Sequence, residues 1–315
     1  YNEDVNTQVV YNDKLWKYNA SNGWQPAGVN PENTTYGAYW TLVGACSSSS
    51  NPGGNTDPGE DPSTGNDEPS YNDHVLTPCL KRHLLFGYWH NFTNGLTGSG
   101  ERLKLADVST KYDILNVSFA ETDGGDRAVV TFHLDNGIYA SEAQFIEDIK
   151  TCQARGQKVN ISLGGQNGII SVTSAADKVK FVNSVIGIIE KYGFDGLDID
   201  FEGTSAGGYS PAFDKPNQQA QYMIDAIREI CDHFGDNFIL TMAPETAYVQ
   251  FGYMSSLAPA YMTLIHGLRD KLTCLHVQLY NTGNSSALDG KNYNPGTPDY
   301  LVAMCDMLLQ GFPNS

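Results

Sequence analysis

No run of about eighteen apolar residues occurs in the 315-residue sequence, so no segment reads as a membrane-spanning helix. Basic side chains are scarce: 19 Lys and Arg stand against 36 Asp and Glu, and the formal charge of -17 repels phosphate backbones and anionic lipid. Nucleic acid and membrane surfaces are therefore disfavoured as partners, whereas a neutral polymer such as a polysaccharide is compatible. The six cysteines, at 46, 79, 152, 231, 274 and 305, form no CxxC pair, so no metal site is expected. Cys152, Cys231, Cys274 and Cys305 fall in helix or strand patterns and read as small buried thiols. A Cys46–Cys79 disulfide is left open. No basic and apolar leader opens the chain, and nothing in the residues calls for a metal or organic cofactor.

Residues 47–73 are rich in Ser, Gly, Pro, Asn and Asp with almost no apolar residue, so they cannot bury a core. They divide the chain into an N-terminal unit (1–46), a linker (47–78) and a larger domain (79–315). The first unit carries three of the four tryptophans, Trp16, Trp24 and Trp40, beside several tyrosines. Such density suits a sugar-binding face, because pyranose rings stack on aromatic rings; a small unit also needs aromatics for its core.

After the linker, short apolar or β-branched runs alternate with amphipathic helices. Runs at 84–89, 114–121, 159–165, 193–202, 238–245 and 275–281 read as strands. Ser141 with Gln144, and Ser174 with Asp177, mark helix starts, while Gly193 and Gly235 mark helix ends. Repeated βα units imply an α/β fold, a (β/α)8 TIM barrel. A doubly wound sheet is the alternative, and it would more often place a glycine-rich phosphate loop where GYWHNFTNG stands. Six strands are counted, followed by a helix over 298–309, so the expectation is a barrel lacking its last two βα units in this chain.

The informative stretch is Asp195-Gly196-Leu197-Asp198-Ile199-Asp200-Phe201-Glu202. In a strand, Asp198, Asp200 and Glu202 share one face and Leu197, Ile199 and Phe201 the other. Apolar residues can then pack under helices while three carboxyls point into the barrel. Successive same-face positions lie roughly 7 Å apart, so like charges raise one another's proton affinity and one carboxyl keeps its proton near neutral pH. Glu202, nearest the C-terminal end of the strand, is the expected general acid.

These residues resemble the DxxDxDxE signature of glycoside hydrolase family 18, and Ser162-Leu163-Gly164-Gly165 resembles its SxGG signature. The resemblance implies a retaining, endo-acting chitinase that hydrolyses β-1,4-linked N-acetylglucosamine polymers with help from the substrate's own N-acetyl group. It assigns Glu202 as acid/base, Asp200 as the residue orienting the acetamido group, Asp198 as its partner, and Tyr280 as a donor to the acetamido oxygen. Tyr88, Ser162, Gly164, Gly165, Met242, Glu245, Gln278 and Asn281 are carried over as substrate-binding or supporting positions. The N-terminal unit resembles a small all-β chitin-binding module that begins part-way through, with Trp16, Trp24 and Trp40 as its contacts. Chitin and chitooligosaccharides are the expected partners, with a secreted, monomeric protein that needs no cofactor. A non-catalytic lectin on the same barrel, or an endo-β-N-acetylglucosaminidase acting on N-glycans, are the alternatives.

Overall fold

The computed structural model describes residues 8–11, 14–18, 40–45, 80, 83–92, 102–202, 205, 207, 208, 210–249 and 259–311. The chain divides into two units, Tyr1–Leu84 and Leu85–Ser315. In the first, strands β1 (Gln8–Tyr11), β2 (Lys14–Tyr18) and β3 (Trp40–Ala45) form an antiparallel sheet in that order. Trp16 stands opposite Val9 on one side and Leu42 on the other, and Trp40 opposite Tyr18. Trp24, Cys46, Cys79 and the linker lie outside the described residues.

The second unit is built on six parallel strands: β4 (Phe86–His90), β5 (Ile114–Thr122), β7 (Lys158–Gly164), β8 (Gly196–Asp200), β9 (Ile239–Met242) and β10 (Cys274–Leu275), with β6 (Val130–Thr131) antiparallel to β5. Each parallel strand pairs with the next one in sequence. A doubly wound sheet would reverse its strand order part-way; this one never does, which is the winding of a barrel wall. The wall is curled, because Phe86 of β4 stacks on His276, just beyond β10, with ring centroids 4.9 Å apart.

Helices α1 (Glu142–Ala154), α2 (Ala175–Tyr192) and α3 (Gln218–Phe234) make the central crossovers. Their starts are those the sequence marks. Ser141 accepts from the Gln144 amide at 3.4 Å and Ser174 from the Asp177 amide at 3.1 Å, each worth about 1 kcal/mol. Gly193 closes α2 with a left-handed φ of 74°. Then follow α4 (Thr246–Val249), α5 (Pro259–Leu268), the β11 (Ser285–Ser286) and β12 (Asn292–Tyr293) hairpin, and α6 (Pro298–Gln310).

Alternation along the strands separates two chemistries. Leu115, Val117, Val159, Ile161, Leu197, Ile199, Leu240 and Met242 join Phe145, Ile149, Val182, Val185 and Ile227 of the helices in one buried core. Each such side chain contributes about 1.5–3 kcal/mol of burial. The opposite face carries Asn116, Ser118, Asn160, Ser162, Asp198 and Thr241, all buried and all polar. Two expectations need correction. The run 275–281 is not a continuous strand: after β10 the pairing thins to isolated links, from the His276 and Gln278 amides to the Met242 and Pro244 carbonyls, both 2.9 Å, and from the Thr246 amide to the Gln278 carbonyl at 3.3 Å. Cys305 is exposed rather than buried, because it falls on the outer side of α6.

Candidate active site

Strand β8 runs Gly196–Asp200 with every residue buried, and its register fixes what surrounds each carboxyl. Ser162 of β7 and Thr241 of β9 are the lateral partners of Asp198, and Gly164 is the partner of Asp200. Glu202 follows immediately beyond the strand end and is only half-buried. The first Asp of the signature has a different duty. Asp195 holds the Val159 amide at 2.9 Å, the Gln153 amide group at 2.9 Å and Lys158 Nζ at 3.1 Å, so it fastens the base of β8 to α1 and β7.

Asp198 is fully buried and accepts from four groups. Tyr88 Oη and Ser162 Oγ each donate to Oδ2 at 2.7 Å, while Thr241 Oγ1 donates to Oδ1 at 2.5 Å and His276 Nε2 lies 3.2 Å from the same oxygen. Burial alone would raise its pKa, but the hydrogen bond and charge of His276, with the Thr241 and Ser162 hydroxyls, outweigh burial and hold it below the usual carboxylate range. Asp198 is thus an anion inside the barrel.

Asp200 responds in the opposite direction. Burial first, then the charges of Asp198 and Glu202, push it from 3.8 up to about 8, against the donor Gln278 Nε2 at 2.7 Å. The proton that carboxyl crowding retains at neutral pH therefore sits on Asp200. That refines the expectation, which placed a retained proton on the acid Glu202.

Asp200, Glu202 and Tyr280 line a cleft of about 530 Å³ with Phe92, Phe119 and Gly165. All but Phe119, which lies in the C-terminal half of β5, fall at or beyond the C-terminal ends of their strands, the end where barrel sites are built. Gly164 and Gly165 explain the second signature physically. A Cβ on Gly164 would stand 2.3 Å from the Asp200 carbonyl oxygen, and one on Gly165 2.8 Å from the Phe119 ring; their φ angles are 108° and 70°. The Gly165 amide donates to that same carbonyl at 2.8 Å.

The remaining carried-over positions separate into near and far. Tyr88, Ser162 and Gln278 act on Asp198 or Asp200 directly, as above. Glu245 pairs with Gln278 as an isolated parallel bridge, and burial followed by the charge of Glu202 raises its pKa. Tyr280 is exposed on the cleft wall, its hydroxyl raised by burial and then by Asp200. Met242 is a correction: its lateral partner is Ile199, so it points into the apolar core and not toward the carboxyls. Asn281 takes a left-handed φ of 51° and lies exposed at the bend beyond Tyr280, outside the residues lining the cleft. Thr241 and His276 were not foreseen; both come from strands remote in sequence and meet Asp198 only through sheet register and curl. Among the described residues no cluster of His, Cys, Asp or Glu could hold a metal ion.

A parallel barrel wall with a buried carboxylate, a proton-bearing neighbour and a half-buried glutamate at its C-terminal rim is the framework of a glycoside hydrolase. The family model of glycosyl hydrolases family 18 matches residues 84–311. The chain belongs to that family. It is 47% identical over 233 residues to Chitinase Chi52 of Paenibacillus xylanexedens, which covers 72% of this chain and 43% of the relative. It is 42% identical over 255 residues to Exochitinase 1 of Streptomyces olivaceoviridis, covering 74% of this chain and 42% of the relative. Among solved structures, a family 18 chitinase from Chromobacterium violaceum superposes with a TM-score of 0.65 at 35% identity, covering 99% of this chain and 73% of that one. The chain thus spans less than half the length of these two curated relatives.

Proposed function

We propose that the chain is the catalytic part of a retaining, endo-acting chitinase that hydrolyses β-1,4-linked N-acetylglucosamine polymers. The observation that carries this reading is the proton placement along one strand: Asp198 anionic, Asp200 raised to about 8, and Glu202 next along the same face in an open cleft. The proton held on Asp200 passes to Glu202 as substrate binds, leaving Asp200 ionised, and Glu202 donates that proton to the scissile glycosidic oxygen. The N-acetyl carbonyl oxygen attacks the anomeric carbon, the bond to the leaving sugar breaks, and a bicyclic oxazolinium forms. Asp200 accepts from the acetamido N–H and steadies the developing positive charge, while the Tyr280 hydroxyl donates to the acetamido oxygen. Water, deprotonated by the Glu202 carboxylate, then opens the ring from the face the leaving group vacated, and configuration is retained.

Chitin and chitooligosaccharides are the substrates in this reading, and the protein is secreted and monomeric. The N-terminal unit, through Trp16, Trp24 and Trp40, acts as a chitin anchor that raises local substrate concentration without a new catalytic contact. Hydrolysis of a chromogenic chitooligosaccharide tests the core of the reading. Glu202→Gln should lower kcat about 10²–10⁴-fold; an unchanged rate would remove Glu202 as the acid. Reducing-end analysis on colloidal chitin distinguishes internal cleavage, with scattered products, from release of one short product.

A further inference from the structure

Resting on that reading of the site, we propose that His276 is a positioning residue: its Nε2–H fixes Asp198 as the permanent anion, and so directs the proton shared between Asp198 and Asp200 to the Asp200 side.

The argument starts from counting donors. Two carboxyls on adjacent same-face positions of a strand hold one proton between them, and the carboxyl with fewer donors keeps it. Among the described residues Asp198 has four donor contacts and Asp200 has the single Gln278 amide. Asp198 Oδ2 is saturated by Tyr88 and Ser162, so Oδ1, with Thr241 and His276, is where a proton would otherwise settle. An anionic oxygen only accepts, so the ring nitrogen facing it carries hydrogen.

The ring is also held in place. It stacks on Phe86 at 4.9 Å with planes 27° apart and leans on Tyr88 at 5.8 Å. Phe86 and Tyr88 belong to β4, at the opposite end of the strand order from β10, so the ring closes the interior across the curl. Few rotamers remain open to a side chain clamped this way, and the donor is pre-aimed at Asp198. The titratable groups facing the pair are Tyr88 from β4, Asp200 from β8, Tyr261 from α5 and Cys274 from β10, with Glu202, Glu245 and Tyr280 acting on Asp200. None of them is a cation.

Two variants of the full chain test this. His276→Phe keeps a flat ring to stack on Phe86 but has no donor; His276→Gln keeps an N–H donor without the ring. The expected result is that His276→Phe lowers kcat for a chitooligosaccharide about tenfold or more, the size of one hydrogen bond to a charged group. KM should change less than about threefold, and the acid limb of the kcat profile should move to higher pH, because Asp198 now protonates more readily. His276→Gln should recover most of kcat and return the acid limb to its wild-type place. The proposal is overturned if His276→Phe keeps wild-type kcat and pH profile, or if His276→Gln falls as far as His276→Phe. Carboxyl ¹³C titrations of Asp198 and Asp200 separate this from the functional reading, since they need no turnover. If the wild-type chain hydrolyses nothing, the functional reading fails alone; if Asp198 shows the same titration in wild type and His276→Phe, the His276 proposal fails alone.

Discussion

Replacing Asp200 by Asn should stabilise the folded protein, and the gain should depend on pH in a specified direction. The carboxyl is raised from 3.8 to about 8 by burial and by its neighbours' charges. An acid with a raised folded-state pKa imposes no penalty below its unfolded value; the penalty grows as pH climbs between the two values and levels off above the folded one. At pH 7 the unfolded chain's carboxyl is about three units past its midpoint while the folded one is still protonated, a difference of ~4 kcal/mol at about 1.36 kcal/mol per unit. Local relaxation and entering water reduce this, so a gain of roughly 2–4 kcal/mol is expected for the variant. Its side-chain oxygen still accepts from Gln278, and its Nδ2–H2 group takes the place of the protonated carboxyl's O–H. For a unit of this size the gain corresponds to roughly 5–15 °C in Tm. Differential scanning fluorimetry at pH 4 and at pH 8 is the assay: the variant's advantage should be large at pH 8 and nearly absent at pH 4. An equal advantage at both values, or none at pH 8, would refute the placement of the retained proton on Asp200.

Gly164→Ala should lower stability by about 3 kcal/mol or more in urea unfolding and abolish hydrolysis, because its Cβ would stand 2.3 Å from the Asp200 carbonyl oxygen at a φ of 108°. Wild-type stability there would disprove the close approach of β7 to β8. Thr241→Val removes the 2.5 Å donor to Asp198 and should destabilise by ~2 kcal/mol at pH 7. Since Asp198 is depressed, the stability it contributes is present above the ordinary carboxylate value and lost as pH falls through its own, so the variant's deficit should shrink in acid. Tyr280→Phe should leave Tm unchanged, its side chain being 60% exposed, while lowering kcat about ten- to hundredfold; an unchanged kcat would show that the hydroxyl touches no reacting group.

The parts of the site legible in sequence are those governed by a local period. Period-2 alternation sets Asp198 on the polar face of β8, while Glu202, just beyond the strand end, lines the cleft with Asp200. Caps at Ser141 and Ser174 are equally local and equally clear. Met242 shows where locality ends. Its run TMAPE borders the site, but which of Thr241 or Met242 faces Asp198 depends on the register with β8, and no residue in the run announces that register. His276 was hidden for a second reason: its contacts with Phe86 and Tyr88 span the whole curl of the sheet. The broken sixth strand was also invisible, because its apolar alternation persists although the backbone pairing does not.

The donors to Asp198 come from β4, β7, β9 and the segment after β10, one from each. An isolated β8 supplies none of them, and a buried carboxylate without donors would take up a proton. Asp198 becomes an anion only when strands at both ends of the sheet have come around to it, and Asp200, already raised by burial, is driven further up once Asp198 is charged. The apolar face secures the fold by burial alone, which tolerates exchanges of similar volume. The polar face is less forgiving, because each donor fixes the charge on which the next carboxyl depends. Curl of the sheet and proton placement in the site are therefore one structural event, and changes at Phe86, far from Glu202 in sequence, should register in the chemistry through His276.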